Sequence, residues 1–156
     1  MSAELPVETA MTRRLLARIS DDNLDWRPAG ELHTIAWNAT HLVEIIGWVP
    51  GIIGESEFDI APVGGEPNVA PEVTQASQLL ATFDANCKAA IESLAGVPDS
   101  VMHESWSLKM SGQTIFTMNK GDCLRKWVFS HTAHHRGILS AYLRMAGLQF
   151  PSIYEE

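Results

Sequence analysis

The longest helical pattern in this chain, from Asn119 to about Met145, puts histidines on the row where leucines should be buried. With His131 at zero on a helical wheel, Leu124, Trp127, Ile138 and Tyr142 fall within about 40° of it. His135 lies at roughly +40°, while His134 lies at roughly −60°, on the flank. An earlier segment repeats the anomaly. The pattern predicts a helix from about Leu32 to Trp48, stopping at Pro50-Gly51, with Thr34, Trp37, Ile45 and Trp48 within roughly 40° of His41. On this reading His41 stands in the middle of the buried stripe.

Such placement is costly unless something shares the polar rings. A buried imidazole needs partners for both nitrogens, and an unpaired polar group costs about 1–3 kcal/mol. A divalent cation supplies one partner for several rings at once. The i, i+4 pair His131 and His135 leans over one turn, a recurrent metal-ligand spacing. His41, His131 and His135 are therefore the candidate ligands, and three ligands leave positions open for water or substrate. Each histidine also has a plainer reading, as a core ring bonded to backbone or carboxylate. His33, at the start of the second helix, and His103, in a loop, are not candidates. Glu44, one turn after His41, could orient a ligand or act as a base, or simply sit on a solvated flank. Trp37 and Trp48 beside His41 could wall a pocket.

The rest of the chain predicts an all-α protein. A first helix runs from Leu5 to Ser20 with Met11, Leu15 and Ile19 on one face; the Asp21-Asp22-Asn23 and Trp26-to-Gly30 stretches follow as connector. Residues 51–71 read as a long loop of the kind that serves as a lid. A third helix is expected from near Pro71 to about Ala95, with Ala76, Leu80, Phe83, Cys87, Ile91 and Leu94 inward. Cys87 then reads as a small core residue rather than a reactive thiol. Ser111-Gly112 between two strand-like runs suggests a short hairpin between the third and fourth helices. Asn119 and Asp122 resemble a capping box opening the fourth helix, which Gly147 stops, with Pro151 beyond. Four helices of three to six turns with one small hairpin imply one domain over residues 1–156, an antiparallel four-helix bundle whose long second connection permits a crossover.

Composition narrows the function. The net charge of −8 and the absence of any basic stripe argue against nucleic acid. Two cysteines, Cys87 and Cys123, without metal or redox spacing fit a reducing compartment. No secretory leader is evident at the start, and no apolar run reaches membrane-spanning length, so a cytoplasmic protein acting on a small molecule is the expectation.

The fourth-helix run His131-Thr-Ala-His-His135-Arg136-Gly137-Ile138-Leu139, followed by Tyr142-Leu-Arg-Met-Ala-Gly147, resembles the terminal helix of the DinB/YfiT superfamily. Thr34 to Leu42, with His41, resembles that family's second helix, and Trp26-Arg27-Pro28 its usual connector. The resemblance implies a four-helix bundle with a crossover, a homodimer, and nickel, zinc or iron held by His41, His131 and His135. It also implies thiol-dependent transfer or isomerisation using a low-molecular-weight thiol, without DNA binding. Ile138 departs from the pattern, standing where many members carry glutamine. Three readings stay open: a metal-dependent thiol transferase, a hydrolase with Glu44 as base, and a metal-stabilised binding protein without catalysis.

Overall fold

The computed structural model describes residues 1–69, 73–149 and 152–154. Among these, four helices reach twelve residues or more: α1 (Leu5–Leu16), α2 (Ile35–Gly47), α4 (Ala76–Leu94) and α6 (His131–Met145). Two short helices, α3 (Val49–Gly54) and α5 (Lys120–Cys123), and a three-stranded sheet accompany them.

Local chemistry sets the boundaries. Pro6 opens α1, which stops at Leu16 rather than Ser20. There Ser20 and Asn23 bond reciprocally, Asn23 Nδ2 to Ser20 Oγ at 2.8 Å and Ser20 N to Asn23 Oδ1 at 3.3 Å, and divert the chain into a 3₁₀ turn, Asp21–Asn23. Thr34 caps α2 by accepting the Trp37 N–H at 3.1 Å, so that helix starts three residues later than Leu32. Pro50 does not end the helical path. It occupies the first turn of α3, where a proline's missing N–H is harmless. α4 begins at Ala76, whose N–H donates to Asp21 Oδ1 at 2.7 Å; the expected start at Pro71 lies outside the described residues, as does Pro151.

The 51–71 connection is more ordered than a loop. Besides α3 it contains β1 (Glu57–Asp59), which pairs in parallel with β2 (Ser105–Met110). β2 in turn pairs antiparallel with β3 (Gln113–Asn119) across the turn Ser111-Gly112, both residues at positive φ. The Asp59 carboxylate clasps that turn. It accepts the N–H groups of Ser111 and Gly112 at 3.0 and 2.7 Å, and that of Ala61 at 3.0 Å.

One core joins the long helices. α2 packs against both α4 and α6, and α1 touches the same two helices. Leu15, Leu16, Ile35, Leu42, Ile46, Phe83, Leu139 and Leu143 are fully buried, each worth about 1.5–3 kcal/mol relative to exposure. α2 and α4 approach so closely that a Cβ on Gly47 would meet Asn86 Nδ2 at 2.9 Å; that amide donates to the Val43 carbonyl. The inward row of α4 is Ala76, Leu79, Phe83, Ala90 and Leu94. Leu80 and Cys87 are only half-buried, and Ile91 is exposed.

Between α5 and α6 the chain is π-helical over Leu124–Ser130. This wide turn displaces the buried row of α6 from the expected one. Thr132, His135, Arg136, Leu139 and Leu143 face the core, while Ile138 and Tyr142 lie half-buried to one side. π-turns within helices occur often at functional sites.

Candidate metal centre

His41 from α2 meets His131 and His135 from α6, and one ring nitrogen of each lies within 4.8 Å of the other two. His131 is at the middle: its Nε2 stands 3.1 Å from His135 Nε2 and 3.4 Å from His41 Nε2. His135 is buried, whereas His131 and His41 are half-buried. Contrary to the sequence reading, His41 is not mid-stripe. The buried row of α2 runs through Ile35, Ala39, Leu42 and Ile46, and Trp37 beside His41 is 41% exposed. His131 stands at the border between core and cavity, with His41 and His135 beside it. His134 is exposed, with its ring 5.0 Å from that of His135; His33 is exposed and stacks on Trp37 at 3.6 Å; His103 ends a 3₁₀ turn. None of these three belongs to the cluster.

Burial, aided by the neighbouring His41, lowers the pKa of His131 below its ordinary value. The same causes, with burial again foremost, bring His135 down to about 4. Both rings are therefore neutral at pH 7, as nitrogen ligands must be. The donor set suits a divalent transition ion, since two nitrogens each about 2.0–2.1 Å from one ion stand about 2.9 Å apart at a right angle and about 3.4 Å at the tetrahedral angle. The observed separations fall within that interval. Without an ion, each Nε2···Nε2 contact needs a hydrogen on one of its two nitrogens, whereas a shared ion would accept a lone pair from all three rings.

The outward nitrogens have their own surroundings. His41 Nδ1 lies 3.4 Å from Glu44 Oε2, and His135 Nδ1 lies 3.5 Å from Asn38 Oδ1. His131 Nδ1 is buried without a well-formed hydrogen bond; the Trp127 carbonyl, one turn back, only weakly opposes the fall in that ring's basicity. Ring contacts close the cluster laterally. Trp37 and Trp48 flank His41 at 5.1 and 5.8 Å, and Trp127 meets His131 edge-on at 5.8 Å.

His131 and Glu44 open onto a cavity of about 490 Å³, within the size range of small-molecule sites. Trp48, Trp106, Phe116 and Trp127 line it from the helical side and the hairpin, and Phe58 and Ile60 from the β1 connection. Among the described residues its charged lining consists of Glu44, Glu55 and Glu57, with no lysine or arginine; Glu57 is paired to Lys109 at 2.6 Å. Cys123 also borders the cavity, but burial pushes its thiol up to about 11, and likewise that of Cys87, so neither serves as a ready nucleophile.

Two groups near the cluster were not visible in the sequence pattern. Asn38 is buried on α2, one turn before His41. Arg136, which follows His135, is buried against α1: its Nη2 contacts Glu8 Oε2 at 2.7 Å, and its Nη1 donates to the Glu8 carbonyl and to Thr12 Oγ1 at 3.1 and 3.3 Å. A polar side chain on an otherwise apolar row was the available signal in both cases.

The fold has counterparts of known structure. A DinB-like protein from Bacillus cereus ATCC 10987 superposes with a TM-score of 0.72 at 23% identity, covering 97% of this chain and 94% of that one. The DinB-like protein YjoA from Bacillus subtilis gives 0.70 at 15% identity, over 96% and 95%. At such identities the likeness is one of fold. No curated protein matches significantly. The sequence profile of the DinB superfamily matches residues 5–139, from the start of α1 to the second turn beyond His131, and this chain belongs to that superfamily.

Proposed function

We propose that this protein is a metal-dependent enzyme acting on a small molecule, with His41, His131 and His135 as the ligands of one divalent ion. The reading rests on one observation: the Nε2 atoms of His41 and His135 converge on that of His131, which lines an aromatic cavity. Nickel, zinc and iron all suit imidazole nitrogen, so the ligands do not choose among them. When bound, such an ion supplies Lewis-acid chemistry and lowers the pKa of a thiol brought to it.

A thiol-dependent transferase is the reaction class supported best. Three neutral imidazoles leave the ion's charge uncompensated, which favours an anionic partner such as a thiolate from a low-molecular-weight thiol. The apolar walls from Trp48, Phe58, Trp106, Phe116 and Trp127 would hold the electrophile and exclude water. A lining that carries carboxylates and no basic residue disfavours an anionic electrophile. Glu44, beside His41 Nδ1, would act by orienting that ring. As in the family, we take the four long helices to form a bundle with a crossover, assembling as a homodimer.

Elemental analysis of the purified protein and its His131→Ala and His135→Ala variants tests the ligand set. One equivalent of metal, lost in both variants, is expected. Cobalt substitution then tests the thiol: addition of 2-mercaptoethanol or cysteamine should produce thiolate-to-cobalt absorption, and a spectrum unmoved by any small thiol would overturn this reaction class. Hydrolysis is the second reading, favoured by Glu44 standing on the cavity wall. Under that reading Glu44→Gln abolishes turnover while sparing metal content.

A further inference from the structure

We infer that Asn38 is a positioning residue for the candidate metal centre: it holds the proton of neutral His135 on Nδ1, so that the Nε2 lone pair faces His131 and His41. This rests on the ligand reading above only for its purpose; the geometry stands without it.

The orientation of the Asn38 amide is settled by its other end. Nδ2 donates to the Thr34 carbonyl at 3.0 Å, and of the two ends of the amide only the NH₂ can donate to a carbonyl, so the amide cannot be flipped. Oδ1 is then the atom that faces His135 Nδ1, at 3.5 Å. An amide oxygen is acceptor only, so any hydrogen bond there requires His135 to carry its hydrogen on Nδ1. Asn38 is 2% exposed and His135 9%, which leaves water little room to substitute for either partner. The opposite tautomer would set two acceptors against each other at Asn38; its Nε2–H could bond His131 Nε2, 3.1 Å away, but only by giving up the lone pair that a shared ion needs. Histidine ligands characteristically donate their second ring N–H to such a partner, which fixes tautomer and ring orientation together.

Thr34 extends the chain of control. Its side chain caps α2 and its carbonyl, besides receiving the Asn38 amide, accepts the Asn38 backbone N–H at 3.1 Å. The first turn of α2 is thus built to present one oxygen in a fixed direction to α6.

The test is long-range ¹H–¹⁵N correlation spectroscopy on the full-length, chelator-treated protein at pH 8, with His135 assigned through the His135→Gln variant. The expected pattern is a protonated Nδ1 and an unprotonated Nε2. A His135 protonated on Nε2 in the wild-type protein would overturn the inference outright, with no variant needed. Asn38→Leu should shift the proton towards Nε2 and weaken zinc or cobalt binding by about 10- to 100-fold in a competition assay. Asn38→Asp keeps an acceptor oxygen and should restore both; a residue that merely filled space would leave the tautomer unmoved in all three proteins. If Asn38→Leu fails to fold, the wild-type and Asn38→Asp spectra decide. A protein that shows the expected tautomer yet binds no metal would sink the proposed function and leave this assignment standing.

Discussion

Lowering the pH should unfold the metal-free protein through His135 in a calculable way. The folded state holds this ring at about 4, against 6.5 for a free histidine, chiefly because burial penalises the cation. The unfolded chain therefore binds more protons between those values, and the stability associated with the neutral ring is present above pH 6.5 and lost as pH falls through 4. At about 1.4 kcal/mol per tenfold change in proton binding, the full loss is about 3 kcal/mol, of which about 2 kcal/mol is gone by pH 5. His131 shifts in the same direction and adds to it. Urea unfolding of chelated protein, followed by circular dichroism at pH 7 and pH 5, reads this directly. With a slope of about 2 kcal/mol/M, the midpoint should fall by about 1 M from the His135 contribution alone. In His135→Gln, which cannot titrate, the difference between the two pH values should shrink by that amount. An undiminished pH dependence in the variant would refute the argument that this ring is held neutral by its surroundings.

Other outcomes are expected elsewhere. Glu8→Gln leaves the buried guanidinium of Arg136 without its charged partner and should lower stability by about 1.5–3 kcal/mol in the same denaturation assay. Asp59→Ala removes the acceptor for Ser111 and Gly112, and amide exchange along β1 should quicken by at least about tenfold while the core of α2 stays protected. With both thiols raised from 9.0 to about 11, alkylation of Cys87 and Cys123 in the folded protein at pH 7.5 should run about 100-fold slower than for a free cysteine.

The candidate site was legible because its members are polar beside apolar neighbours: His135 lies on the buried row of α6, and His41 and His131 stand half-buried at the edges of theirs. Their partners were less so. Asn38 and Arg136 break the same rows, but they become informative only once Thr34 fixes one and Glu8, on another helix, reaches the other. Caps within a few residues could be read, as Asn119 shows by accepting the Asp122 N–H at 2.7 Å. The start of α4 could not, because its first N–H is satisfied by Asp21, which lies 55 residues earlier. β1 escaped notice for a related reason: three residues carry no periodicity, and their order comes from β2 and from the Asp59 contacts. The orientation of α6 was misjudged by assuming a uniform 100° step through Leu124–Ser130.

That wide π segment has a consequence for how the site can change. Residues before it are anchored by α5, where buried Lys120 donates to the Ile53 carbonyl and to Glu104, and residues after it by Arg136 on α1. Excising a single amino acid between these anchors would be absorbed as the i→i+5 turn tightened to i→i+4, leaving the downstream helix facing nearly the same way. Excising a second would force everything downstream to swing by about 100° or tear one anchor loose. Spacing along this stretch, more than the identity of its side chains, dictates which way the two imidazoles of the last helix look.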